Sequence, residues 1–272
     1  MKDAIKREDL RQNIMKEAIF RIDYQGIINL EGILDDFNKA FPNHFKLYET
    51  TFHSRIELGA IKIDEISETL SVPIRELEKQ PIHRYSENLF GSDKLTLDIS
   101  KYYTYLHVEC KEYKTIDTYL EFFSNLIIFL KSKFTYLSIR RFGLRKVGEN
   151  VYYNPEAIYE DFEREYFHAQ FSPKYRKQRC EYFDLLTIQE DPTIINYKRL
   201  IEKGYAPSAD GVAEAFRVVL DIDGYLGEEF LTKFDISNAG NTRDLLSNIN
   251  NAILFDIFKM SVTQAFLERN KS

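Results

Sequence analysis

Two clusters of basic side chains carry the strongest chemical signal in this chain. In PKYRKQR, from Pro173 to Arg179, the cations Lys174, Arg176, Lys177 and Arg179 crowd around Tyr175. Arg140, Arg141, Arg145 and Lys146 make the second cluster, a short way beyond Lys131 and Lys133. Guanidinium groups fork onto phosphate oxygens and a tyrosine ring stacks on a base, so these types together suit nucleic acid or another phosphate ligand. The competing reading, which weighs more, is a solvated run at 174–179 that offsets the acidic helix EDFERE at Glu160. Within RRFGLR, alternation groups Arg141 with Leu137 and Ile139 and so points it inward, where a carboxylate must neutralise it. Asp98, Asp221 and Asp223 are the candidate partners. Such an ion pair would fix the register between the two halves of the chain, and a ligand anion held by Arg141 is the lesser alternative.

Other chemistry is poorly provided for. DIDG at Asp221 has two of the oxygens a calcium loop needs and lacks the third ligand before its glycine, so it reads as a strand end and turn. The five histidines (His44, His53, His83, His107 and His168) form no HxH, HExxH or HxxxH pair. His107 alternates with Tyr105 and Glu109, and Cys110 faces the other way, so the local pattern makes no Cys-His dyad. There is no GxSxG, P-loop or GxGxxG. We therefore expect no catalytic residue, no metal and no cofactor.

A net charge of -6 disfavours a general nucleic-acid coat but permits a local basic patch. The 18 tyrosines suit half-buried strand faces and a contact surface, because each offers an apolar ring with a wet end. Cys110 and Cys180 stand far apart and read as reduced thiols. No apolar run approaches the roughly 20 residues of a membrane helix, and the opening MKDAIKREDLRQNIMKE is too charged for a secretory segment. The expected setting is cytoplasmic, with no membrane partner.

These side chains need elements to position them. From Met15, Ala18, Phe20 and Ile22 alternate with charged neighbours, predicting a strand that Gly26 ends. Apolar positions from Ile28 to Phe41 recur at helical spacing, and Pro42 stops them. Strands are expected at roughly 45–63, 72–88, 93–100 and 102–110, then a buried helix over YKTIDTYLEFFSNLIIFLKSKF. The second half reads as a strand over YLSIRRFGLRKVGENVYY and a helix over PEAIYEDFEREYFHAQF. Strands at 179–189, 193–203 and 212–223 follow, then one long helix from Thr242 to Arg269. LTLDI at Leu95 is echoed by VVLDID at Val218, and NLIIFLK at Asn125 by NAILFDIFK at Asn251. The expected fold is therefore α+β: a mainly antiparallel sheet covered by long helices, built by tandem duplication of a β-α-β(3-4)-α unit, similar to the TATA-binding-protein-like or helix-grip class. The halves fall at 1–135 and 136–272, together forming one continuous pseudo-symmetric domain.

KEAIFRIDY at the start, RRFGLRKV in the middle and VVLDIDGYL near the end resemble a sporadically distributed family of uncharacterised bacterial and archaeal proteins of about this length. In that family EAI-x-x-I, GLR and LDID strands recur, although Lys146 stands where its members often carry an aromatic residue. The resemblance implies no established activity; its patchy occurrence implies a defence or mobile-element setting. The leading expectation is a non-enzymatic module whose sheet face engages a protein partner, with a homodimer among the expected assemblies. The rival is a nucleic-acid binder using Arg140, Arg145, Lys146, Lys174, Tyr175, Arg176, Lys177 and Arg179. A third reading is a small ligand or nucleotide between helix and sheet, with Arg141 as its anion clamp.

Overall fold

Met15–Gln25 is a strand because its alternate side chains have two different destinations. Ala18, Phe20, Ile22 and Tyr24 are buried, while Lys16 and Arg21 are exposed. Gly26 ends it at φ +100, where an added Cβ would lie 2.1 Å from the Tyr136 carbonyl oxygen. The computed structural model describes residues 2–10, 14–26, 30–42, 44–58, 74–88, 93–111, 116–165, 180–190, 192–209, 211–234, 236 and 238–271.

In chain order the strands are β1 (Met15–Gln25), β2 (Phe45–Leu58), β3 (Ile74–Asn88), β4 (Lys94–Ser100), β5 (Tyr103–Glu109), β6 (Ser138–Tyr152), β7 (Cys180–Glu190), β8 (Thr193–Ser208) and β9 (Gly211–Gly227). They form one nine-stranded sheet in the order β2-β3-β4-β5-β1-β6-β9-β8-β7. Every neighbouring pair is antiparallel. β1 and β6 lie side by side near the middle, and each also pairs with a later strand, β5 and β9 respectively. The helices are α1 (Ile33–Ala40), α2 (Asp117–Lys133), α3 (Pro155–Asp161), α4 (Glu228–Leu231), α5 (Ala239–Asn248), α6 (Phe255–Ser261) and α7 (Gln264–Arg269). Among the described residues no helix is long and apolar enough to cross a membrane.

The core lies between one face of this sheet and the helices. Phe123 of α2 meets Phe20 of β1 with ring centroids 5.5 Å apart, and Phe37 of α1 meets Tyr85 of β3 at 4.4 Å. Ile249 and Leu254 close over Gly224 of β9, where an added Cβ would come within 3.2 Å of both side chains. Ile222, Gly224 and Leu226 therefore face the helices, and Asp221, Asp223 and Tyr225 face away.

The expectation of a sheet covered by long helices is overturned. The sheet is the larger component: β8 and β9 run to 16 and 17 residues. The longest described helix is α2, at 17 residues. The helix expected from Thr242 to Arg269 is instead α5, a six-residue π segment (Ile249–Leu254), α6 and α7. It breaks at Val262 because that residue bridges Phe162, while Thr263 N–H donates to the Asp161 carbonyl at 2.8 Å. Thr263 then caps the next turn by accepting from Phe266 N–H. The helix predicted from Pro155 likewise stops at Asp161, and residues 166–179 lie outside those described.

The TATA-binding-protein-like or helix-grip architecture, proposed as a duplicated β-α-β(3-4)-α unit under long helices, falls with that expectation, although the elements do run β1-α1-β2 to β5-α2 and then β6-α3-β7 to β9-α4. The echoed segments do not occupy matching places. β9, carrying VVLDID, borders β6, whereas β5 stands between β4, carrying LTLDI, and β1. NLIIFLK is regular α2, but NAILFDIFK runs through the π segment into α6. The shared letters reflect the demands of buried strands and helices on apolar residues.

His83 gives the fold a pH dependence. It is buried on β3; its ring stacks on Tyr48, whose hydroxyl lies 2.8 Å from Nδ1, and Nε2 has no hydrogen-bond partner. Burial holds its pKa below the ordinary 6.5, with Glu31 opposing. Above that value neither folded nor unfolded chain is protonated there. As pH falls through it, the unfolded chain gains the proton first, so stability must drop. Urea midpoints from pH 7.5 down to pH 5 should fall, and His83→Gln should flatten that slope; equal slopes would refute the assignment.

Candidate functional site: the outward face of the central strands

Among the described residues, the side of the sheet away from the helices carries a continuous run of arginines, aspartates and tyrosines. Residues directly opposite one another run Glu49, Arg84, Asp98, Tyr105, Arg21, Gly143 and Tyr225 across β2, β3, β4, β5, β1, β6 and β9. Each is outward because strand neighbours alternate faces, and Phe20, Leu106 and Leu144 between them are fully buried.

Four arginines in and beside this row are matched by four aspartates. Arg84 Nε and Nη2 donate to Asp98 Oδ1 and Oδ2 at 2.8 and 2.7 Å. Arg21 Nε donates to Asp23 at 2.6 Å, and Arg141 Nη2 to Asp223 at 2.5 Å. Arg145 grips both oxygens of Asp221, each at 2.7 Å. Hydrogen bonding to these carboxylates raises the pKa of Arg84 and Arg145, so both stay charged. Three tyrosines fill the space between. Tyr103 and Tyr105 stack at 5.8 Å and 15°, with the Arg21 guanidinium 5.3 Å from the Tyr103 ring. The Arg141 guanidinium lies 4.1 Å from the centre of the Tyr225 ring. Burial pushes Tyr105 up to about 12, helped by Asp98, so it stays a neutral phenol at ordinary pH.

Gly143 makes this packing fit. A Cβ there would stand 2.6 Å from both the Gly224 carbonyl oxygen and Tyr225 Cβ. Any side chain would displace Tyr225 and, with it, the ring beneath Arg141.

The residues singled out in the sequence separate. Arg141 faces outward: a bulge leaves Arg140 between the pairs Ile139–Tyr24 and Arg141–Asp23 and reverses the alternation. Its partner is Asp223, one of the three candidates, but the pair joins β6 to β9 within the second half rather than linking the halves. Asp98 serves Arg84 instead. Arg140 is half-exposed, 3.8 Å from Glu228. Lys146 stands opposite Ala18 on the helix side, where burial and nearby Arg7 push its amine well below the usual lysine range. Lys174, Tyr175, Arg176, Lys177 and Arg179 lie outside the described residues. Among the described residues the proposed basic surface is therefore divided between two faces and largely neutralised. Arg141 does not reach the space between helix and sheet.

Asp221 and Asp223 are occupied by arginines, and no cluster of three or more metal-ligating side chains occurs among the described residues. Cys110 lies on the helix side, its thiol pushed up to about 12 by burial and then by Asp93, while His107 sits outward, 3.3 Å from Glu17. Arg21, Arg84, Tyr103 and Tyr225 carry no motif; their only signal in sequence is polar or aromatic placement at alternate positions of a strand. Compared with protein-family models, curated proteins and solved structures, the chain matches none.

Proposed function

We propose that the protein is a non-enzymatic binding module that engages a protein partner through the outward face of β5, β1, β6 and β9. One observation carries the reading: arginines and tyrosines are concentrated there, and Arg21, Arg141 and Arg145 are each already balanced by an aspartate. Arginine and tyrosine are the side chains that dominate protein–protein contacts. A neutralised face gives a polyanion little to displace, which favours protein over nucleic acid. The defence or mobile-element setting rests on the family resemblance alone and would show as recurrent gene neighbours.

The test is capture from the source cell by the full chain and by a Tyr103→Ala/Tyr225→Ala variant. Both tyrosines are only half-buried, so the variant should fold, with unfolding midpoints shifted little. Specific capture should drop at least about tenfold, because aromatic anchors commonly contribute about 2 kcal/mol or more. Undiminished capture would remove the face from consideration. Salt-dependent retention of RNA or DNA by both forms would favour the nucleic-acid reading instead.

A further inference from the structure

Depth decides which charges of the outward face a partner meets first. In all four of its arginine–aspartate pairs the guanidinium lies outside the carboxylate. The side chains of Arg21 and Arg145 are each 45% exposed, over Asp23 at 29% and Asp221 at 10%, and Arg141 over Asp223 and Arg84 over Asp98 keep the same order. The arginines also hold donors in reserve. Arg21 bonds Asp23 through Nε alone, Arg141 bonds Asp223 through Nη2 alone, and Arg145 gives Nε and Nη2 to Asp221. A guanidinium carries five N–H groups, so each keeps at least Nη1 for a second acceptor. Arg21 stands opposite Gly143, with Arg141 and Arg145 two residues to either side on β6, and so lies about 7–8 Å from each along the diagonals. Gly143 contributes no side chain between them.

We propose that the partner engaging this face presents an extended acidic segment, whose carboxylates bond the unspent N–H groups of Arg21, Arg141 and Arg145. This rests on the binding-module reading and names the partner's chemistry. Charge complementarity carries it. The three pairs are neutral in sum, yet Coulomb attraction falls with distance, so an arriving carboxylate feels the outer guanidinium more than the aspartate beneath it. A charged acceptor also bonds a guanidinium more strongly than a neutral carbonyl does. Alternate side chains of an extended segment project to one side about 7 Å apart, which matches the diagonal spacing of the arginines. A phosphate backbone gains chiefly from released counterions, and aspartate-paired arginines hold few. From Arg141 to Arg145 is about 13 Å along β6. Glu17, opposite Val147, and Glu228, after the Gly227 that faces Arg141, lie beyond either end, so the acidic segment is short.

The test is fluorescence anisotropy of the full chain with labelled Tyr-Glu-Tyr-Glu-Tyr-Glu and Tyr-Gln-Tyr-Gln-Tyr-Gln peptides and with hexathymidylate. The Glu peptide should bind at least about tenfold more tightly than the Gln peptide. Arg21→Gln/Asp23→Asn and Arg145→Gln/Asp221→Asn each remove a guanidinium without stranding a carboxylate, and in both that preference should fall to about threefold or less. Asp23→Asn alone should tighten Glu-peptide binding and leave Gln-peptide binding unchanged, a gain that misfolding does not produce. Equal affinity for the two peptides, no binding of the Glu peptide, an unchanged preference in both paired variants, or tighter binding of hexathymidylate would each overturn the acidic segment. Should source-cell capture still fall in Tyr103→Ala/Tyr225→Ala, the binding-module reading survives any of those results; undiminished capture removes both.

Discussion

Phe123→Ala is expected to destabilise the protein by about 3–5 kcal/mol, measured by urea unfolding at neutral pH. Phe123 is 0% exposed, and its ring packs on Phe20, equally buried at the middle of β1. β1 joins the two flanks of the sheet through β5 and β6, so a cavity at this point loosens the strand that holds both sides. α2 cannot slide inward to fill it, because Leu120, Leu126, Ile127 and Leu130 anchor the same helix in the core. The control is Tyr205→Ala, 79% exposed on β8 and expected to change stability by less than about 0.5 kcal/mol. A loss below about 1 kcal/mol for Phe123→Ala would show that α2 is not a principal support of the sheet.

The second large effect is expected at Asp98. Its side chain is 1% exposed, and it receives both hydrogen bonds of Arg84. Asp98→Ala strands a guanidinium whose partner is gone. Removing one member of a fully buried pair costs about 3–5 kcal/mol. Arg84 remains 34% exposed and can recover some water, so about 2–3 kcal/mol is expected here. An Asp98→Leu/Arg84→Leu protein should regain much of that loss, since neither charge then lacks a partner. If the single and double variants are equally unstable, packing at β3–β4 matters and the ion pair does not. Partner capture separates the two roles of this row: Asp98→Ala should impair stability first, whereas Tyr103→Ala/Tyr225→Ala should impair binding with the fold intact.

The arrangement explains how a face rich in arginine can coexist with a chain of net charge -6. Opposing aspartates hold the arginines in fixed directions, so the partner we propose would meet oriented donors rather than a diffuse positive field. Side-chain entropy that free arginines would lose on binding is already partly lost in the unbound protein.

Local pattern is enough for much of the scaffold. The alternation of Ala18, Phe20 and Ile22 marks β1, and the apolar wrap of residues 119–130 marks α2, because period and burial are properties of neighbouring residues. Adjacent strands on short turns require antiparallel pairing, and every observed pair obeys. Pattern fails where a distant segment intervenes. Apolar spacing continues without pause through Val262, yet Phe162, a hundred residues earlier, bridges that backbone and ends the helix. One extra residue at Arg140 reverses the direction of Arg141, and nothing in RRFGLR marks the bulge.

The candidate site belongs wholly to the second kind. Arg84, Asp98, Tyr105, Arg21, Gly143 and Tyr225 come from six strands, and their order across the sheet is not their order along the chain. Alternation says which face a side chain takes along its own strand; it cannot say which strand lies beside it or at what register. Hydrogen bonding between backbones remote in sequence settles both. Residue types and spacing thus specify strands, α2 and an antiparallel sheet, whereas the charge-balanced row exists only once the sheet has closed, because its interactions run across strands.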